Sequence, residues 1–491
     1  MAHRIHVLPQ NRYLEAPDGA NLLQVLRHAG LAPDAPCGGD GRCGKCKVIL
    51  DGEAVLSCRT QVTRDLEITL TAPEARNMLT DGFALADAFP AGRRGPVLAF
   101  DLGTTTVAGY LLDGKTGQTF TSLSAANPQA SFGADVVSRI RHGLNGQMEA
   151  LTGCIRDCIG QMSAALCQKA GVALEQVETV CIVGNPAMQQ LFLGIRPENL
   201  VQIPFAPVLT KAETVAAGAY LPGLAQADLL IVPDISGYVG ADTVACVLAT
   251  GLDRREKMTL LVDIGTNGEM VLGNRHGMVA TSTAAGPALE GANIRFGMGG
   301  RPGAIDHVYL EHGAIRCSVI GGGEAVGICG SGLIDAVAVA LELGWLNERG
   351  EVGTDDGCIH LTSKVCLNQE DIRQVQLAKG AIACGIRLLA KQLGICLDQV
   401  ERVYLAGAFG TFMDPVSACR IGLLPPELED KITAIGNAAG SGAKQMACSQ
   451  EAFLHSQTLC DRIGHVELSQ LPEFAKTFAK EMRFALPKEA K

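Results

Sequence analysis

Short runs in which apolar and polar positions alternate, Ile5–Leu8 and Tyr13–Ala16, predict two strands around the turn Pro9-Gln10-Asn11. The period then changes, and Leu22, Val25, Leu26 and Ala29 line one face of a predicted helix over Asn21–Ala29. Lys47–Leu50 and Leu66–Leu70 read as two further strands, with the turn signal Asp51-Gly52 after the first of them. Strand, strand, helix, strand, strand is the order of a β-grasp domain, expected over residues 1–72. Residues 73–95 have weak periodicity and end on Arg93-Arg94-Gly95-Pro96, which predicts a linker.

An apolar strand follows, Pro96 to Asp101, broken by Gly103-Thr104-Thr105-Thr106 and answered by a returning strand to Asp113. The same strand, turn and strand recur from Met258 to Leu272, with Asp263 lying 162 positions after Asp101. Such a duplication predicts two related halves, residues 96–255 and 256–491, facing each other across a cleft. Near the end, Ile372, Val375, Ile382, Ile386, Leu389 and Leu393 mark a long helix over Gln369–Leu393, leading into a strand over Glu401–Ala406. That strand runs into Gly407-Ala408-Phe409-Gly410, read as a glycine turn that can admit an adenine ring, with an ordinary strand-to-helix turn as the alternative.

Composition narrows the function classes. At 491 residues and 47% hydrophobic content, the chain has material for two or three cores. Net charge is −10 and Lys and Arg are scattered, so no basic stripe offers itself to a phosphate backbone, and nucleic acid is not an expected partner. Met1–His6 lacks the apolar stretch of a secretory signal and no uncharged run reaches membrane-spanning length, so a cytoplasmic protein without a membrane partner is expected.

Of the 18 cysteines, four form a pattern: Cys37, Cys43, Cys46 and Cys58, separated by five, two and eleven residues. Glycines between the first three let backbone N–H groups approach cluster sulfurs, which suits a [2Fe-2S] cluster. Zinc also accepts four thiolates, but structural zinc sites usually present two knuckles of the Cys-x2-Cys type, and only one occurs here. A disulfide framework would need an oxidising compartment. The spacing is one residue longer than the plant-type loop and resembles that of adrenodoxin-like ferredoxins. Other cysteines, Cys154 and Cys158 among them, read as small hydrophobes of the core.

The repeated turns carry the second chemistry. Glycine gives phosphate oxygens close access to backbone N–H groups, threonine hydroxyls add donors, and an aspartate can hold Mg²⁺ directly or through water. The first loop contributes Asp101, Gly103, Thr104, Thr105 and Thr106. The second contributes Asp263, Gly265, Thr266, Asn267, Gly268 and Glu269, and Gly407, Ala408, Phe409 and Gly410 are expected beside the adenine. Asp101 and Asp263 are the candidate Mg²⁺ residues. Asp234, Asp242, Glu269 and Glu290 are the carboxylates from which a water-orienting group is sought, with Asp263, Glu269 and Glu290 the catalytic set.

The paired loops and the late Ala406-Gly407-Ala408-Phe409-Gly410 resemble the actin, heat-shock chaperone and sugar-kinase superfold (ASKHA, ribonuclease H-like). Joined to a β-grasp [2Fe-2S] ferredoxin domain, they resemble the reductive activators of corrinoid-dependent methyltransferase systems. Val183-Gly184-Asn185-Pro186, Pro233 to Asp242, Ala284 to Asn293 and Gly327 to Asp335 carry the same resemblance, which covers essentially the whole chain. It implies an α/β fold with an α+β domain in front, and an ATP-hydrolysing iron-sulfur activase that reduces a corrinoid protein from Co(II) to Co(I) in a methyltransferase or O-demethylase system. The implied cofactors are a [2Fe-2S] cluster, ATP and Mg²⁺. The implied partners are a corrinoid protein and an electron donor, with a homodimer as the expected assembly. A plant-type cluster sits near roughly −400 mV, and a cobalt couple ~100 mV lower would make transfer uphill by about 2.3 kcal/mol, a reason for ATP. The alternatives are an activator of radical dehydratases, a nucleotide-switched redox sensor without net electron transfer, and a small-molecule kinase.

Overall fold

The computed structural model describes residues 2–29, 31, 33, 41, 46–70 and 89–484. Cys37, Cys43 and most of the expected linker lie outside the described residues, as does the side chain of Ala408.

Near the N-terminus, β1 (Ala2–Leu8), β2 (Arg12–Pro17), β3 (Lys47–Leu50), β4 (Glu53–Leu56) and β5 (Leu66–Leu70) form one sheet in the order β2-β1-β5-β3-β4. Only β1 and β5 of these pairs run parallel. Helix α1 (Leu22–His28) covers the sheet because Leu22 and Leu26 point at Ile5, Val7, Val48 and Ile68, all buried. Asn21 caps α1 by accepting from the Gln24 amide, as its place before the apolar period predicts. The strand β4, returning from the Asp51-Gly52 turn, extends the sequence reading by one element, and Asp51 takes the positive φ that this turn demands.

The two expected halves share one topology. In the first, β6 (Pro96–Leu102), β7 (Thr106–Asp113) and β8 (Thr119–Ala126) form an antiparallel meander. Next to β6 lies β9 (Thr179–Gly184), in parallel; β10 (Glu213–Ala216) and β11 (Asp228–Ile231) complete the order β8-β7-β6-β9-β11-β10. In the second, β12 (Thr259–Ile264), β13 (Gly268–Asn274) and β14 (Gly277–Thr283) repeat the meander. Beside β12 run β15 (Arg402–Ala406) and β16 (Ile432–Gly436) in parallel, with β17 (Ile463–His465) on the far edge. Leaving out the edge strands β10 and β17, both sheets read 3-2-1-4-5.

A core shared by both sheets fills the space between the halves. Helix α2 (Ala241–Thr250) and helix α3 (Ala438–Cys448) pack there on small residues, and a Cβ placed on Gly442 would lie 2.1 Å from the Ala245 carbonyl oxygen. Close backbone approach of this kind fixes the halves through many van der Waals contacts. The long helix predicted over Gln369–Leu393 is present as Gln369–Gln392, capped by Asn368. At the end of β15 the chain takes the strand-to-helix alternative: Gly407 opens a short helix, Gly407–Phe412. The pattern is too brief to show a helical period, and a glycine pair in six residues argues against a helix on propensity alone.

Candidate active site

Strand pairing places the two Asp-containing turns. In the first half Leu102 pairs with Val107, and the Gly103 amide donates to the Thr106 carbonyl (3.0 Å). In the second half Ile264 pairs with Gly268, and the Gly265 amide donates to the Asn267 carbonyl (2.9 Å). The repeat is therefore inexact, with the second turn one residue shorter. Opposite Asp101 stands Ala108; opposite Asp263 stands Glu269.

Two threonines of non-equivalent position meet one carboxylate. Thr105 Oγ1 donates to Glu290 Oε2 and Thr266 Oγ1 to Glu290 Oε1, each at 2.8 Å. Glu290 thus spans both turns. Thr104, the residue aligned with Thr266, instead accepts from Asn185 Nδ2 at 3.1 Å. Asn185 caps a helix of the first half, Pro186–Leu193, which opens directly from β9.

Around the turns, four carboxyls collect at the meeting of the halves. Burial, then the nearby carboxylates, raise Asp101 to about 7 against an Asn437 hydrogen bond that lowers it. Burial first, with Asp263 adding to it, raises Asp242 to about 7; burial likewise raises Asp263 to about 6. Glu269 is pushed well above the usual carboxylate range by burial and by Asp242 and Asp263, although Ser282 Oγ donates to it at 3.1 Å. Among the described residues no three acidic, His or Cys side chains converge into a metal cage. The donor set fits Mg²⁺ nonetheless, because that ion keeps several waters and takes one or two carboxylates plus phosphate oxygens. Asp234 is buried beside this group, with burial the first cause of its own raised carboxyl.

Gly407 lies against Asp263. Its φ is +86°, and a Cβ there would lie 2.6 Å from Asp263 Oδ1. Phe409 packs on Gly330, where an added Cβ would sit 2.6 Å from the ring, and Gly410 lies against Leu405. Sequence reasoning missed Asn437, which donates from Nδ2 to Asp101 Oδ2 at 2.9 Å while its Oδ1 accepts from the Gly440 amide at 2.6 Å. It also missed Cys246, whose Sγ lies 3.7 Å from Asp263 Oδ2. The signal for Asn437 was available: an Asn after a strand and before small residues is a helix N-cap.

In the N-terminal domain, pairing of Lys47 with Leu56 draws Cys46 and Cys58 together. The Ser57 amide and hydroxyl both donate to the Cys46 carbonyl at 2.9 Å, and Asn21 Nδ2 donates to the Cys58 carbonyl at 2.9 Å. Both cysteines are buried, packed with Leu23 and Leu56. Two buried cysteines packed in one small cluster fit half of the ligand set of a [2Fe-2S] cluster. Gly41, at φ +76°, leaves room for Arg59, whose Nε would lie 2.1 Å from an added Cβ.

Comparison with known proteins finds matches along the chain. Residues 5–70 match the 2Fe-2S iron-sulfur cluster binding domain, residues 97–255 the RACo middle region, and residues 257–490 the C-terminal ASKHA domain of RACo. The corrinoid activation enzyme RamQ of Eubacterium limosum is 34% identical over 84% of this chain and 74% of its own length. The [Co(II) methylated amine-specific corrinoid protein] reductase of Methanosarcina barkeri is 27% identical over 74% of this chain and 71% of its own. A solved structure, the reductive activator for corrinoid,iron-sulfur protein, superposes with a TM-score of 0.72 at 25% identity over 98% of each chain. A ferredoxin-type domain followed by paired Asp-containing turns bridged by Glu290, together with this likeness along most of the chain, places the protein in the RACo family.

Proposed function

We propose that this protein is an ATP-dependent reductive activator that returns a corrinoid protein from Co(II) to Co(I) by delivery of one electron. The observation that carries the reading is the pairing, in one chain, of a cysteine pocket of ferredoxin type with two phosphate-loop turns spanned by Glu290. Residues 1–72 form the electron-carrying unit, 73–95 the linker, and 96–255 and 256–491 the two halves of the ATPase.

Cys37, Cys43, Cys46 and Cys58 would hold the [2Fe-2S] cluster, which supplies one-electron chemistry when bound. The chain's own part is to bury Cys46 and Cys58 and to orient them through Ser57 and Asn21. Asp101 and Asp263 would hold Mg²⁺, with Asp242 and Glu269 behind them. The turns Gly103 to Thr106 and Gly265 to Gly268 would meet the phosphates, and Gly407 to Gly410 would border the base. Glu290, held by a hydroxyl from each turn, is the carboxylate placed to sense whether phosphate lies between them. ATP shifts the redox step only if nucleotide states differ in their affinity for the corrinoid protein. The partners are that corrinoid protein and a low-potential one-electron donor; a homodimer is the proposed assembly, in the cytoplasm.

The test is anaerobic. Reduced protein is mixed with a candidate Co(II) corrinoid protein, and Co(I) absorbance is followed with ATP, with a non-hydrolysable analogue, and without nucleotide. Co(I) that accumulates only with ATP supports the reading. Equal affinity for the partner in all three conditions overturns the ATP-driven scheme.

A further inference from the structure

An arginine on the outer face of a small domain's helix is ordinarily solvated, because a desolvated guanidinium needs partners. Arg27 is on α1 and is only 2% exposed. Its Nε donates to the carbonyl of Ser131, and its guanidinium carbon lies 5.4 Å from the centroid of the Phe132 ring. Both acceptors belong to the other domain. One helical turn earlier, Gln24 Oε1 accepts from Gln147 Nε2 at 3.1 Å, and His142 Nδ1 fixes that amide from the other side at 2.6 Å. The cluster-bearing domain is thus seated on the first half of the ATPase through named polar contacts.

Ser131 and Phe132 end a single tight turn, Pro128–Phe132, that begins at the first phosphate loop. Asn127, 1% exposed, caps this turn through its Oδ1, which accepts from the Gln129 amide at 2.9 Å. The Asn127 backbone amide donates to the Thr105 carbonyl at 2.9 Å and its Nδ2 to the Gly103 carbonyl at 2.8 Å. At the opposite end, the N-cap of α1 is Asn21, the residue that holds the Cys58 carbonyl. One five-residue turn and one seven-residue helix, both stiff, therefore stand between Thr105 and Cys58.

We propose that Arg27 is a positioning residue: through Ser131, Phe132 and Asn127 it ties the seat of the cluster-bearing domain to the state of the first phosphate loop. This rests on the nucleotide reading above. Phosphate entering the loop competes for Thr105 and the Gly103–Thr106 backbone; a shift there moves Asn127 and with it the turn that Arg27 grips. Coupling of this kind requires that loop and seat each have two arrangements which the nucleotide prefers unequally.

Amide hydrogen exchange on the cluster-loaded full chain tests it, under anaerobic conditions, with and without Mg²⁺ and a non-hydrolysable ATP analogue, whose binding is followed by calorimetry in the same samples. In the unaltered protein the analogue is expected to change exchange over residues 128–132 and over 22–28. Arg27→Ala is expected to bind the analogue as before, keep the response at 128–132, keep the protection of β1, and lose the response at 22–28. Arg27→Lys, which keeps the charge but not the planar fork, and Gln147→Ala serve where Arg27→Ala folds poorly. A response at 22–28 that survives in these variants, or none in the unaltered protein with analogue bound, overturns the proposal. Failure of the analogue to bind at all overturns the nucleotide reading and the proposal with it.

Discussion

Thr105 and Thr266, one from each half of the ATPase, donate to the two oxygens of a single carboxylate, Glu290. Neither turn would be held to the other by this route without it. Hydrogen bonds to a charged group contribute about 1.5–3 kcal/mol when buried, and these are half-buried. Glu290→Ala should accordingly lower ATP hydrolysis by about tenfold to a hundredfold, at ~1.4 kcal/mol per tenfold. Steady-state phosphate release measures this, and a rate equal to that of the unaltered protein would remove Glu290 from the mechanism.

Asn437 does two separable things. It caps the helix Ala438–Cys448 and it donates to Asp101. Asn437→Asp keeps a capping oxygen but puts a carboxyl where Asp101 now finds a donor. The melting temperature in the absence of nucleotide should fall less than for Asn437→Ala, while affinity for Mg²⁺ with ATP should fall at least as far. Calorimetric titration beside a thermal melt separates the two roles; a melt as low for Asn437→Asp as for Asn437→Ala would show that the cap is not what matters.

The collected carboxyls predict a pH dependence with a definite sign. Asp101, Asp242 and Asp263 have folded values of about 7, 7 and 6, above their ordinary value, with burial the main cause. Between the ordinary value and these, the folded chain binds more protons than the unfolded one, so stability falls as pH rises through that window. Without Mg²⁺ the protein should melt at progressively lower temperature from pH 5 to pH 7.5. Adding Mg²⁺ and ADP should restore more at pH 7.5 than at pH 5, with proton release on binding. A nucleotide-free melt that rises over the same range would contradict this arrangement of charges.

Gly407→Ala should damage the cleft through one atom. The backbone there is left-handed and the new methyl would press on Asp263 Oδ1. The conformational cost alone is about 1–2 kcal/mol, and displacement of Asp263 adds a loss of nucleotide affinity that a distant glycine substitution would not cause. Equal ATP affinity in Gly407→Ala would separate the Gly407 stretch from the site.

Cys58→Ser should abolish the visible iron-sulfur spectrum while leaving ATP binding intact, since Cys58 lies in the separate ferredoxin core. Iron content and nucleotide titration on one preparation decide it. Retention of a full [2Fe-2S] spectrum would overturn the ligand assignment.

How far these features were legible differs from residue to residue. The order of strands around α1, and the long helix after Asn368, follow from apolar period and caps, which are local properties of the chain. The doubled Asp-x-Gly-Thr turn also announces itself, because a duplicated strand, turn and strand is a pattern in one dimension. The helix at Gly407 was legible only as an alternative, because six residues carry no period, and its close approach to Asp263 was not legible at all. Nor could alignment of the turns show that Thr105 rather than Thr104 pairs with Thr266 through Glu290, since that depends on a one-residue difference in turn length.

The sequence by itself determined the two aspartate turns and the family they belong to, and it carries the expected modules and cysteine set, because each of these is written in spacing along the chain. Only the tertiary structure decided which side chains share a space: Glu290 between Thr105 and Thr266, Asn437 on Asp101, and Arg27 under Ser131. Those partners lie far apart in sequence. They meet because two sheets close over small-residue helices and a third domain is seated on the first, and no local period encodes that packing.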